Sequence, residues 1–386
     1  MVERVIRVEE DVKDLIRGLT LMGTGGGGRP DMGIDYLLPH IREGKEITLK
    51  PPEAIPHDSW TCSVFGMGSI APQKTLSSDE RKALGYGDWV VEKPMVEAVQ
   101  ELEAYIGYRI QAIVPFELGA GNTAAPIDAA VRLGVAIVDG DYAGRAIPEL
   151  AQTTPAMHGH PFEPGVVCDP WGNVLIMKRA ASLPLAERIG KMISIATKLP
   201  DIKAPCAHAG FLLKGKEMKK LVVSGSVSRC LEIGRRIRKA LDRGEDPAKA
   251  AAEAMGGWVI FRGKVRRKEW ESREGYMLGT TTIEGEGSDR GHTLKVWFKN
   301  ENHMTFIDQQ AFITSPDLIA IIDAISGEPY TNTVLEESMN VAVLGARADS
   351  KYRTPEGLKL LGPRYFGFDV DYLPIEERLR KSGFQV

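Results

Sequence analysis

Several side chains able to hold a metal or move a proton fall within one short stretch, VPFELGAGNTAAPIDAAVRLGVAIVDGDYAGRAIPE, from Val114 to Glu149. Glu117 and Asn122 follow one apolar run, and Asp139, Asp141, Arg145 and Glu149 follow the next. Carboxylate and amide oxygens suit a hard cation, a metal-bound water or a substrate N–H. Asp139 and Asp141 flank Gly140, so both can project into one loop, where close carboxylates share a proton or a metal. Arg145 and Glu149 lie four residues apart, the spacing of a pair on one helical face. The same residues would also serve as loop caps and an internal ion-pair network.

Two further sets have the right chemistry. Gly25, Gly26, Gly27 and Gly28 form a glycine run between two helical patterns. Bare backbone amides next to a helix start can hold an anion or a substrate carboxylate. Equally, the run can mark backbone packed too closely for side chains. A nucleotide loop needs a preceding strand and a closing Gly-Lys-Ser/Thr, and neither is present, so no nucleotide is expected. His158, His160 and Cys168 are zinc-type ligands, with Cys206 and His208 as second choices, although no familiar structural-zinc spacing is present. His292 and His303 lie on strand patterns and read as ordinary sheet histidines. No Gly-x-Ser-x-Gly elbow occurs, which leaves a hydrolase triad unsupported.

The elements that must position these groups read as follows. Val8 to Thr20 has apolar residues at helical spacing, and Asp31 is expected to cap a second helix ending near Gly44. Thr61–Phe65, Arg109–Pro115 and Val135–Val138 read as strands. They alternate with helices over Pro94–Ile106 and Ala124–Leu133, which predicts a parallel sheet with right-handed crossovers. Ligands of such sheets sit beyond the carboxyl ends of the strands. That rule selects the loop after Phe65 (Gly66 to Ser69, leading to a segment with Trp89), the loop from Glu117 to Asn122, and the loop from Asp139 to Glu149. Leu183–Thr197 reads as an amphipathic helix, and Ser226–Ala240 and Asp246–Met255 as helices. From Trp258 onward alternating and β-branched runs predict strands. The expectation is an α/β N-terminal domain with a parallel sheet over residues 1–165, then an α+β, β-rich C-terminal domain over 166–386.

The 386 residues carry a formal net charge of -3, and no Lys/Arg run suggests a nucleic-acid partner. No segment approaches a membrane span, and the charged N-terminus lacks a signal-peptide core. The four cysteines have no CxxC spacing, which points to reduced thiols in a cytoplasmic protein.

The ordered motifs Gly23-Thr24-Gly25-Gly26-Gly27-Gly28-Arg29-Pro30, Glu117-Leu118-Gly119-Ala120-Gly121-Asn122, Val138-Asp139-Gly140-Asp141-Tyr142-Ala143-Gly144-Arg145-Ala146-Ile147-Pro148-Glu149-Leu150 and Asn300-Glu301-Asn302 resemble the S-methyl-thiohydantoin desulfurase family. So do Ser315-Pro316-Asp317-Leu318-Ile319 and Gly362-Pro363-Arg364-Tyr365-Phe366-Gly367. The resemblance covers almost the whole chain, but His158-Gly159-His160 is not part of it. It implies an N-terminal α/β and a C-terminal α+β domain, and removal of sulfur from a five-membered cyclic thiourea or its S-methyl derivative. The resulting expectation is a hydrolase of a cyclic amide-like small molecule such as a hydantoin. Water would be activated by a divalent metal such as zinc or by a carboxylate, with Asp139 or Asp141 carrying that step and Glu117 assisting. Asn122 would hold a ring N–H or C=O, Arg145 a substrate carboxylate, and Gly25 to Gly28 developing negative charge, with Glu149 also in the substrate set. The alternatives are a non-catalytic subunit of a hydantoinase- or oxoprolinase-type enzyme and a nucleotide-binding enzyme using the Gly-rich loop. Either a homo-oligomer or a hydantoinase-like partner is expected.

Overall fold

The computed structural model describes residues 3–68, 77–86, 91–197 and 206–383. Ser69 and Trp89, named above, lie outside them. In chain order the strands are β1 (Arg4–Ile6), β2 (Ile47–Lys50), β3 (Trp60–Gly66), β4 (Ala112–Ile113), β5 (Ala136–Val138), β6 (Gly140–Asp141), β7 (Gly165–Cys168), β8 (Val174–Met177), β9 (Ala207–Lys214) and β10 (Val223–Ser224). They are followed by β11 (Gly257–Arg273), β12 (Tyr276–Gly285), β13 (Thr293–Lys299), β14 (Glu301–Ile307), β15 (Gln310–Thr314), β16 (Leu318–Asp323) and β17 (Asn340–Ala346).

The first sheet has the order β1-β2-β5-β4-β3-β9-β7-β8. Its centre, β2, β5, β4 and β3, is parallel, joined by the helices Pro94–Ile106 and Ala120–Leu133. This is the parallel sheet expected, with antiparallel strands added at both sides. The second sheet, β15-β14-β13-β12-β11-β17-β16, is antiparallel throughout and makes the C-terminal half strand-rich.

The residue 165/166 division falls inside the first sheet, because β7 spans it and β8 and β9, which follow in sequence, pair into that sheet. The helices Glu9–Met22 and Ser226–Asp242 also pack directly across it. Their contact is close enough that a Cβ at Gly18 would sit 2.9 Å from the Cys230 Cα, and one at Gly234 would sit 2.8 Å from the Asp14 Cα. One apolar cluster runs from Ile6 to Ala346 and takes residues from both halves.

Three local expectations change. The second helix is Pro30–Arg42, with Arg29 at its N-cap, and Asp31 forms an ion pair with Arg29 instead of capping. Proline at the first helical turn supplies the preset φ. The helix expected from Ala124 begins at Ala120, which places Asn122 in its first turn. Residues 145–149 are not helical, so Arg145 and Glu149 share no helical face.

Candidate functional site

β4 ends at Ile113, and the chain turns through Glu117 into the helix Ala120–Leu133. Glu117 is buried. Its Oε1 accepts a 2.7 Å hydrogen bond from Asn122 Nδ2, and its Oε2 accepts one of 2.7 Å from the Ile147 amide. Asn122 in turn accepts from the Gly66 amide at 3.1 Å, which ties Glu117 to the end of β3. Burial pushes the Glu117 carboxyl up to about 7.

The glycine loop lies against this corner. Gly27 O accepts from the Gly121 and Asn122 amides, both at 3.0 Å. Thr24 O and Gly25 O accept from the Asn302 and Asn332 amides. The first amides of the Ala120–Leu133 helix are thus taken by a loop carbonyl. A Cβ at Gly27 would stand 2.5 Å from Gly119 Cα, and one at Gly28 would stand 2.9 Å from Gly121 Cα, both at φ values of +72 and +90 that side chains disfavour. Close backbone packing therefore accounts for these glycines.

Gly26 differs, because what it makes room for is a carboxyl. A Cβ there would lie 2.6 Å from Glu301 Cδ and closer still to Oε1. Glu301 opens β14, is buried, and its Oε2 has no hydrogen-bond partner among the described residues. Burial first, and then the Glu117 carboxylate, hold the Glu301 carboxyl well above its usual range. The glycine loop, the end of β4 and the β13–β14 hairpin thus bring two buried carboxyls into electrostatic contact.

Basic groups surround the pair. Arg145 is fully buried and its guanidinium is completely spent on the protein. Nε donates to Ala146 O, Nη2 to Thr24 Oγ1 and Asn302 O at 2.9 Å each, and Nη1 to Ser315 Oγ and Pro316 O at 3.2 Å each. It joins the glycine loop to the second sheet, which leaves no fork for a substrate carboxylate. Burial pushes it down to about 10. Lys191, from the helix Leu183–Thr197, is buried too, with Nζ 3.3 Å from Glu187 Oε1 and 3.2 Å from Pro148 O. Burial lowers its pKa, while Glu187 and Glu301 raise it. Glu187 accepts from Tyr276 Oη at 2.6 Å, and burial holds its carboxyl above the usual range. Glu149 accepts from both Lys299 Nζ and Tyr365 Oη. Acidic and basic side chains are thus interleaved here, with burial raising the Glu117, Glu187 and Glu301 carboxyls and lowering Lys191.

The aspartates expected to react are occupied elsewhere. Asp141 Oδ1 accepts from Ser226 Oγ at 2.5 Å, and Oδ2 from the Ala143 and Gly144 amides. Asp139 Oδ1 accepts from the Ser228 amide at 2.8 Å. Together they fasten the turn after β6 to the start of the Ser226–Asp242 helix. Burial pushes Asp141 up to about 7. Among the described residues no group of three or more His, Cys, Asp and Glu side chains could hold a metal ion. His158 Nδ1 lies 2.9 Å from Thr154 O, and Cys168 is a buried free thiol that burial pushes up. Cys206 is likewise a buried free thiol, and burial pushes His208 down to about 4. The donor set proposed for zinc therefore does not assemble. Of the sequence-selected residues, Glu117, Asn122, Gly26, Arg145 and Glu149 lie in this cluster. Glu301, Lys191 and Glu187 enter it from segments whose local patterns marked them as ordinary helix and strand residues. Only the Asn300-Glu301-Asn302 motif pointed to one of them.

Domain profiles described as "S-Me-THD-like, N-terminal domain" and "S-Me-THD-like, C-terminal domain" match residues 10–179 and 182–375. The fold is similar to the crystal structure of a protein from Chromobacterium violaceum, a structural-genomics target. That likeness has a TM-score of 0.73 at 22% sequence identity, over 97% of this chain and 100% of the other. No curated protein matches the chain.

Proposed function

The chain belongs to the S-Me-THD-like family, whose two domain profiles it matches in order over nearly its full length, and we propose that it hydrolyses a five-membered cyclic amide-like ring such as an S-methyl-thiohydantoin. The observation that carries this reading is the placement of two buried carboxyls, Glu301 against Gly26 and Glu117 bonded to Asn122 beside Gly28, around one glycine loop. Burial raises both carboxyls, and the Glu117 charge raises Glu301 further, so Glu117 is assigned the base role and Glu301 the acid role. Their environments assign the roles. Glu117 accepts two hydrogen bonds, which favour its anion, whereas Glu301 Oε2 accepts none and keeps the proton. A neutral carboxyl offers a donor and an acceptor side by side, matching the adjacent C=O and N–H of a cis-amide ring edge.

In the reaction, Glu117 takes a proton from water as its oxygen bonds to the ring carbon bearing sulfur. The C–S bond breaks, and Glu301 protonates the departing thiolate. The ring carbon exchanges C–S for C=O. The proton taken up by Glu117 passes to the ring nitrogen and the O–H proton of the adduct returns to Glu301, so both carboxyls are restored, one water is consumed and one thiol released. The Lys191 ammonium offsets negative charge that develops at the ring. Asn122 acts through Glu117 as a positioning residue.

The test is thiol release from S-methyl-thiohydantoins and ring opening of hydantoins by the purified protein. Glu117→Gln and Glu301→Gln are each expected to lower turnover by about 10²–10⁴-fold, the usual contribution of a general acid or base. Either variant folded and fully active, or a wild-type protein inert across the panel, would overturn the reading.

A further inference from the structure

The helix Leu183–Thr197 is inside out. Its buried face carries Glu187, Gly190, Lys191 and Ser194, while Leu185, Ile189, Met192 and Ile195 point outward. The spacing of the outward residues is that of a helix–helix seam. Beside it stands β8, the last strand of the first sheet, with Val174, Leu175 and Ile176 exposed in succession. Successive strand residues point to opposite faces, so β8 shows apolar side chains on both. Residues 178–182 join β8 to the helix, and Met177, Ala180 and Leu183 pack against the same apolar cluster as Ala186.

We propose that this face is where two copies of the chain meet. Both elements are self-complementary: an edge strand pairs antiparallel with its own copy about a twofold axis, and an apolar helical stripe packs on its own copy in the same way. The seven side chains, each between 37% and 48% exposed, present on the order of 500 Å² of apolar surface. That is more than half of the roughly 800 Å² per partner in a standard stable interface. The exposed cations next to β8, Lys178 and Arg179, lie beyond the apolar run Val174–Ile176. Arg188, the formal charge on the outer face of the helix, lies 3.9 Å from Glu274 of its own chain. An uncovered edge of this composition would be an aggregation site. The inference does not rest on the hydrolase reading.

Sedimentation equilibrium of the full chain tests it. The wild type is expected at twice its 42.3 kDa, and Leu175→Glu combined with Ile189→Glu at the single mass with an unchanged circular-dichroism spectrum. If the double variant does not fold, Leu175→Cys decides. The natural cysteines among the described residues are buried, so a short bis-maleimide should link the Leu175→Cys protein into a covalent dimer. A wild type of single mass at tens of micromolar would overturn the proposal. So would a folded double variant of unchanged mass, a Leu175→Cys protein that does not cross-link, or a monomer that instead co-sediments with phospholipid vesicles.

Discussion

Replacing Gly26 by alanine isolates the one glycine of the loop whose role is to admit a carboxyl. Gly26 lacks the positive φ of Gly25, Gly27 and Gly28, so alanine meets no backbone penalty there. The new Cβ would lie 2.6 Å from Glu301 Cδ, where ordinary contact begins at 3.4 Å. The Glu301 carboxyl must therefore retreat by about 1 Å, a displacement that typically costs a positioned group about 10²-fold in rate. Overpacking a buried site costs about 1–3 kcal/mol, equivalent to about 1–4 °C in Tm for a chain of this size. The assay is a double-mutant cycle. Thermal or denaturant unfolding is measured for the wild type, Gly26→Ala, Glu301→Ala and the pair, together with turnover of the first two. With Glu301 shortened to alanine the obstacle is gone, and the cost of Gly26→Ala is expected to fall to within about 0.5 kcal/mol of zero. A cost that is the same in both backgrounds would refute the argument that Gly26 exists to make room for Glu301. Full activity of Gly26→Ala would refute the role given to that carboxyl's position.

Other consequences can be checked with the same material. Glu117 has a folded-state pKa raised to about 7 by burial, so its protonated form is the one that folding favours. Its contribution to stability is fully present below the ordinary carboxyl range and is lost as pH rises toward about 7. Between pH 4.5 and 7 the wild type should therefore lose stability relative to Glu117→Gln, and parallel pH profiles would count against the burial argument. Arg145→Lys keeps the charge but cannot make the forked contacts to Thr24, Asn302, Ser315 and Pro316. A loss of about 3–5 kcal/mol is expected from denaturant unfolding, and near-wild-type stability would show that the charge alone suffices.

Much of the scaffold was legible in local patterns. The alternation of apolar runs and helical segments predicted the parallel centre of the first sheet, and with it the place of Glu117 at a strand end. Composition of the second half predicted strands. The carboxylates of Asp139 and Asp141 could not be assigned in this way, since chemistry and capping use the same residue types. Only the tertiary structure shows their partners, Ser226 and Ser228, at a helix start. His158, His160 and Cys168 are near in sequence, but His158 bonds the Thr154 carbonyl, Cys168 is buried, and among the described residues no three such groups come together.

What the sequence by itself determined, then, was which segments become helix or strand and which of them carry two unlike faces. It could not say which face turns inward. For Leu183–Thr197, periodicity shows an apolar stripe and a polar one, and the usual expectation buries the apolar stripe. Tertiary structure decided the opposite, because Glu187 and Lys191 find Tyr276, the Leu150 amide and the Pro148 carbonyl inside, which offsets the cost of burying their charges. The same packing carries Glu301 from the second sheet onto Gly26 of the first helical loop. Such pairings depend on long-range contacts, and no local spacing records them.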